Sequence, residues 1–156
     1  MRVLGIDPGY GILGWAVVEK SERLIDYGII STESGSSIED RLFEIHSRLT
    51  EIIELHNPDH AAIEKLFFVK NITTGIDVAK AIGAVILTLK LKNISYCEYT
   101  PSQIKQAITG YGKAGKEQMK FMIKSIFNLR EIPTPDDAAD AAAIALCHSL
   151  RQNNPK

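Results

Sequence analysis

Near its start the chain reads VLGIDPGYG (residues 3–11), an apolar run that reaches Asp7 and then turns at once. Proline and glycine follow the acid, so the apolar residues before it predict a short buried strand that ends there. Strand ends at the edge of a sheet are common places for ligand and metal chemistry. Asp7 is therefore a candidate site residue, although an acid before Pro-Gly also begins ordinary turns.

Two further β-rich runs follow this segment. Residues 13–18 and 24–31 are joined by a polar turn, which is typical of antiparallel neighbours. Beyond them the chain alternates between helical and extended patterns. The predicted elements are, in order, a helix from a Ser36–Glu39 capping box to Asn57, a strand over 61–63, a helix over 74–92, a strand over 94–99, and helices that begin at Thr100, Lys116 and Thr134.

This order of elements predicts an α/β fold. Three antiparallel strands followed by helix–strand alternation give a five-stranded mixed sheet, with parallel additions, flanked by helices. With 156 residues, 45% of them hydrophobic and 24% charged, the chain is expected to form a single domain over residues 1–156 without disulfides. The apolar segment over 76–91 is either a dimer interface or part of the core.

Composition and patterning exclude several classes of protein. Cys97 and Cys147 share no metal-type spacing, and the four histidines form no zinc-binding pattern. The N-terminal apolar run is too short for a signal peptide, and the longest apolar stretch, over 81–91, is too short to span a bilayer. We therefore expect a soluble cytoplasmic protein with reduced thiols and no association with membranes.

Three more acids stand out beside Asp7. Glu64 directly follows the predicted fourth strand, and Asp137 and Asp140 share one face of the last helix. Asp137 also fits a capping box with Thr134. Asp140 lies among alanines with no Lys or Arg three or four residues away, where a desolvated charge needs a partner or a metal. Four carboxylates suit Mg²⁺, and two such ions are the usual apparatus of phosphodiester hydrolysis.

The chain resembles the RuvC family of crossover-junction endonucleases in three acidic motifs, LGIDPG (4–9), AIEKLF (62–67) and DAADA (137–141). The resemblance implies an RNase H-like fold and a homodimer that binds a four-way (Holliday) DNA junction. It implies paired symmetric nicks that leave 5′-phosphate and 3′-hydroxyl ends, in homologous recombination and DNA repair. It also implies a partnership with a branch-migration motor.

The same resemblance gives roles to individual residues. The catalytic acids, which would bind two Mg²⁺ ions that Mn²⁺ can replace, are Asp7, Glu64, Asp137 and Asp140. Lys105 and Lys116 fall where the family carries functional lysines. Phe67, or its neighbour Phe68, falls where the family stacks an aromatic ring on a base, a contact of about 1–3 kcal/mol.

The distribution of charge adds further candidates. The net charge of −1 and the pI of about 6.4 alone argue against a nucleic-acid partner. The chain is nevertheless divided, with net charges of −7 over 1–64, +8 over 65–130 and −2 over 131–156. The basic block over 65–130 is therefore the predicted DNA-binding face. Three further DNA-binding candidates lie in this block: Lys70, Lys113 and Lys120.

Two alternative functions use the same residues differently. Another RNase H-like nuclease, acting on structured RNA or an RNA–DNA hybrid, would keep the acids and change only the substrate groove. A non-catalytic nucleic-acid-binding module of this fold would have no need of four unpaired carboxylates. The DPG segment (7–9) also resembles a phosphate loop of actin-like ATPases, but that fold needs two such domains and more than twice this length.

Overall fold

The computed structural model describes residues 1–21, 23–65 and 72–153. In this part of the chain the strands are β1 (Arg2–Asp7), β2 (Ile12–Glu19), β3 (Arg23–Ser31), β4 (His60–Glu64) and β5 (Ser95–Tyr99). The helices are α1 (Ile38–His56), α2 (Ile72–Leu91), α3 (Pro101–Thr109), α4 (Lys116–Ile126) and α5 (Asp136–Asn153). The predicted order of strands and helices is confirmed.

The five strands form one mixed sheet in the order β3-β2-β1-β4-β5. Short connections pair β1 with β2 and β2 with β3 in antiparallel fashion. Strands β4 and β5 each return through a crossover helix and add in parallel, β4 beside β1 and β5 beside β4. The parallel strands therefore end together at one edge of the sheet.

Alternation along the strands divides the core into two layers. Leu4 and Ile6 of β1 face α1 and α2, where they join Ile45, Leu49 and Val85 in one apolar cluster. Val3 faces the opposite way, into a second cluster built from α3, α4 and α5. Helices therefore cover both faces of the sheet, as the sequence predicted.

Two glycines bring α5 against the backbone of the sheet. A Cβ atom on Gly5 would lie 2.1 Å from the carbonyl oxygen of Ala141, and one on Gly14 would lie 2.0 Å from the carbonyl oxygen of Asp137. Any side chain at these positions would displace the helix. The alanines of α5 serve the same close approach, because most of them are fully buried.

The ends of the helices follow the predictions only in part. Thr100 and Gln103 form the predicted capping box of α3, and Asn57 ends α1 with left-handed backbone. The predicted Ser36–Glu39 box is wrong by one residue, since Ser37 caps α1 through the amide of Asp40. Helix α5 begins at Asp136 rather than at Thr134, which precedes a cis peptide bond to Pro135.

Helix α2 is longer than the sequence analysis predicted. An 18-residue window of this 20-residue helix has a mean hydropathy of 1.6, so among the described residues it is the one helix with the length and composition to cross a membrane. The longest apolar stretch seen in the sequence, over 81–91, is only part of this helix, and the criterion is met by the helix as a whole. Core helices of soluble proteins meet the same criterion, and α2 contributes Ala81, Val85 and Leu89 to the core. Only 28% of its apolar window is buried.

The contact at Gly5 yields a prediction about stability. Gly5→Ala should lower the free energy of unfolding by about 3 kcal/mol or more, because the new methyl group overlaps backbone atoms of α5 and the helix must shift to accept it. Gly83→Ala is the matched control, since nothing lies within 4 Å of its added Cβ. It should stabilise α2 by about 0.5–1 kcal/mol through helix propensity. Urea denaturation measures both, and equal stabilities would contradict the backbone contact.

Candidate active site

Asp7 and Glu64 end two neighbouring parallel strands. Ile6 pairs with Ile63 in the β1–β4 register, so the two acids are the next residue of each strand. Gly5, two residues before Asp7, lies under α5. Because side chains two residues apart point to the same face, Asp7 and Glu64 both point to the α5 side of the sheet.

Helix α5 adds Asp137 to this edge. Asp7 pairs with Gly14 across the β1–β2 register, and the backbone of Asp137 rests on Gly14. The carboxyl groups of Asp7 and Asp137 are close enough for a hydrogen bond between them. Asp140 lies almost one turn further along α5 and lines the same cleft as Glu64. The four acids selected from the sequence are therefore brought together.

The electrostatics of the site reflect this crowding. Burial raises the pKa of Asp7 to about 8, with further contributions from the charges of Glu64, Asp140 and Asp137. Burial and the charge of Asp140 also raise the pKa of Glu64, while Lys105 opposes the shift. Carboxyl groups in this state bind protons readily, because burial and the charges of neighbouring acids both disfavour the ionised form.

Asp140 differs from the expectation that its alanine neighbours would bury it. Ala139 and Ala141 are buried, but Asp140 itself is exposed at the mouth of the cleft. Partial desolvation still raises the pKa of Asp140, and Lys116 opposes the shift. The physical reason is that the first turns of α5 extend to the carboxyl edge of the sheet, where one face of the helix meets solvent.

The arrangement fits a divalent cation by ligand type. Among residues 1–21, 23–65 and 72–153, no three His, Cys, Asp or Glu side chains stand close enough to form a ready metal cluster. The donors at the edge are nevertheless all carboxylate oxygens, the type that Mg²⁺ prefers. Burial, and after it the repulsion between neighbouring acids, raises the pKa of Asp7, and a bound cation would relieve that repulsion.

A cleft of about 300 Å³ opens between α3, α4 and α5 beside these acids. Its acidic floor carries Glu64 and Asp140, and its basic wall carries Lys105, Lys116 and Lys120. Apolar side chains of α3 and α4 complete the lining. Three of the lysines selected from the sequence thus face the acids.

The other DNA-binding candidates have different positions. Lys113 is exposed in the turn between α3 and α4, away from the cleft lining. Phe67, Phe68 and Lys70 lie outside the described residues.

Asp136 was missed by the sequence analysis. It is paired with both Lys116 and Lys120 across the cleft, and these contacts lower its pKa. The sequence does show a second aspartate directly before the motif over 137–141. It does not show that this aspartate pairs with lysines, because an ion pair between distant segments leaves no local sequence pattern.

The order of strands, with acids at the shared carboxyl edge and on the covering helix, defines an RNase H-like fold of the nuclease type. The family model described as crossover junction endodeoxyribonuclease RuvC matches residues 3–148. The chain belongs to the RuvC family, and the resemblance seen in its three motifs is confirmed.

Similar proteins support this membership over nearly the full chain. The crossover junction endodeoxyribonuclease RuvC of Petrotoga mobilis is 50% identical over 151 residues, which cover 95% of this chain and 93% of that protein. That of Caldicellulosiruptor saccharolyticus is 48% identical and covers 99% and 95%. The solved structure of Thermus thermophilus RuvC in complex with a Holliday junction substrate matches with a TM-score of 0.93 and 35% identity, covering 97% and 94%.

The crowded acids yield a prediction about the metal-free protein. Asp7→Asn should stabilise the EDTA-treated protein by roughly 2–4 kcal/mol near pH 8, because it removes an uncompensated carboxylate. The folded pKa of about 8 lies above the reference value of 3.8, so the native wild type binds more protons than the unfolded chain. The stability of the wild type relative to the variant therefore falls as pH rises from about 4 to about 8.

Thermal unfolding of both proteins between pH 5 and pH 8.5 measures this difference. Millimolar Mg²⁺ should stabilise the wild type more than the variant, because only the wild type keeps the full set of acids. Parallel pH profiles for the two proteins, with and without Mg²⁺, would contradict the interpretation of the four acids as one cation site.

Proposed function

We propose that the chain, as a single nuclease domain over residues 1–156, resolves four-way DNA (Holliday) junctions by paired symmetric nicking. The nicks leave 5′-phosphate and 3′-hydroxyl ends, and the process serves homologous recombination and DNA repair in the cytoplasm. The observation that carries the proposal is the gathering of four carboxylates beside a lysine-lined cleft. Membership of the RuvC family and the junction-bound Thermus thermophilus relative support it.

The proposed catalytic residues are the four acids of the sheet edge. These acids are Asp7, Glu64, Asp137 and Asp140. Together they would hold two Mg²⁺ ions, which Mn²⁺ can replace. When bound, such ions activate the attacking water and stabilise the leaving 3′ oxygen. The acids supply the oxygen ligands, and the sheet and α5 fix the positions from which they act.

The proposed DNA contacts lie along the basic block. Lys105 neighbours Glu64, and Lys116 neighbours Asp140, so both can hold a phosphate next to the acids. Lys120 lies one turn beyond Lys116 on the same wall. Further contacts to the junction, including stacking on a base, are proposed for Lys70, Lys113, Phe67 and Phe68.

A homodimer completes the proposal, because two nicks on strands of like polarity need two active sites. Helix α2 supports it as the interface. Its apolar side chains Ile72, Ile76, Leu87 and Leu91 are between 51% and 77% exposed. A row of exposed apolar residues of this kind is typical of protein interfaces. Junction processing also implies an association with a branch-migration motor.

Replacement of a single acid tests the catalytic part of the proposal. Asp7→Asn should bind a synthetic four-way junction as tightly as the wild type and lose nicking with Mg²⁺ by about a hundredfold or more, because a metal ligand is removed. Glu51→Gln, an exposed change on α1, is the control and should nick normally. Gel-shift and nicking assays measure both properties.

Two outcomes would overturn the catalytic proposal. One is an Asp7→Asn protein that still nicks the junction at the wild-type rate. The other is a wild type that cuts linear duplex, RNA–DNA hybrid or structured RNA as well as the junction, which would favour a different substrate. A wild type that binds junctions and never cuts them would point to a binding module.

A charged substitution on the exposed apolar face of α2 tests the proposed dimer interface. Leu87→Glu should convert a dimer into a monomer in light scattering, since the side chain is 58% exposed within the chain and would be buried between copies. Phe121→Glu is the control, because this equally apolar residue is 69% exposed on α4, on the other side of the sheet. A monomeric wild type at micromolar concentration would contradict the dimer.

A further inference from the structure

Lys116 occupies an electrostatically unfavourable position. It is the first residue of α4, and the preceding cap, Gly115, provides no side-chain hydrogen bond. The positive end of the helix dipole lies there, which disfavours a cation. The carboxylate of Asp136, across the cleft at the start of α5, compensates this charge by pairing with the Lys116 ammonium group.

The same carboxylate also pairs with a second lysine. Oδ2 of Asp136 contacts Lys116, and Oδ1 lies 3.4 Å from Nζ of Lys120. One carboxylate thus bridges two ammonium groups that are one turn apart on α4. The non-bridging oxygens of a DNA phosphate present two acceptors to lysines in the same manner.

The ion pairs are accessible to a competing anion. The side chains of Asp136 and Lys116 are 52% and 61% exposed, and that of Lys120 is 31% exposed. Exposed pairs of this kind are weak and are screened by salt. A phosphate entering the cleft beside Glu64 and Asp140 can therefore replace the carboxylate on both lysines.

From this geometry we propose that Asp136 is a positioning residue that occupies the phosphate site of Lys116 and Lys120 until DNA displaces it. This role rests on the proposed function, because it concerns the phosphate next to the catalytic acids. Asp136 holds the two ammonium groups in place in the free protein. It also lowers affinity, since each binding event must break its two ion pairs and leave its charge beside the DNA.

The decisive variant is Asp136→Asn, which keeps the size of the side chain and removes its charge. Binding to a labelled four-way junction is measured by fluorescence anisotropy in EDTA over a range of KCl concentrations. Affinity at low salt should rise about fivefold, the effect of one unit charge at roughly 4 Å in water. The slope of log K against log salt should become steeper by about one, because phosphate binding to the variant no longer frees a carboxylate that takes up a counterion.

Three further comparisons distinguish the position of Asp136 from its charge. Glu117→Gln removes one negative charge beside the same two lysines, but Glu117 is 92% exposed and lies 4.0 Å from Lys120 without bridging the two ammonium groups, so its salt slope should match the wild type. Asp136→Glu keeps the carboxylate and should restore the wild-type slope. In a Lys116→Met background, Asp136→Asn should gain less affinity than it does in the wild type.

Two results would overturn the role of Asp136, and a third would overturn the proposed function. A wild-type slope in Asp136→Asn, or an equal change in Glu117→Gln, would overturn the role of Asp136. A wild type that fails to prefer the junction over a linear duplex of the same sequence would instead overturn the proposed function. In that case the slope comparison on the duplex still decides the role of Asp136.

Discussion

The backbone contact between α5 and the sheet is the constraint on which the site depends. Gly5 and Gly14 have no side chains at the points where α5 crosses β1 and β2, so carbonyl groups of the helix lie directly against the backbone of these strands. The first turns of α5 then reach the carboxyl edge of the parallel strands. Acids from the two ends of the chain, Asp7 and Asp137, meet there because two neighbouring strands carry glycine where the helix crosses them.

Gathering these acids has an electrostatic cost, and the surrounding charges offset only part of it. The pKa of Asp7 is raised to about 8 by burial and by its three acidic neighbours. Lys105 and Lys116 reduce the shifts of Glu64 and Asp140 from the opposite wall of the cleft. The protein thus sets an acidic edge against a basic wall, which is the arrangement that a metal ion and a DNA phosphate together would neutralise. The near-zero net charge of the chain hides this separation.

Local patterns predicted much of the fold, and they selected the four acids that the structure brings to one edge of the sheet. Apolar runs that end in an acid or a turn gave β1 and β4, and helical periodicity gave α1 and α4. Features that depend on distant contacts escaped prediction. The sequence around Gly14 gives no indication that the backbone of Asp137 packs against it. The alanine neighbours of Asp140 wrongly suggested that this residue is buried. Two other features could not be read from local patterns, because the tertiary arrangement determines them. They are the ion pair between Asp136 and Lys116 and the exposure of one apolar face of α2.

The four acids are proposed to form one site for divalent cations. Crystals soaked in Mn²⁺ test this most directly, because the anomalous signal of the metal locates it without reference to activity. We predict strong peaks within bonding distance of carboxylate oxygens of Asp7, with Glu64, Asp137 and Asp140 completing the set of ligands. Saturating Mn²⁺ with no peak at Asp7, or with peaks only elsewhere on the surface, would contradict it.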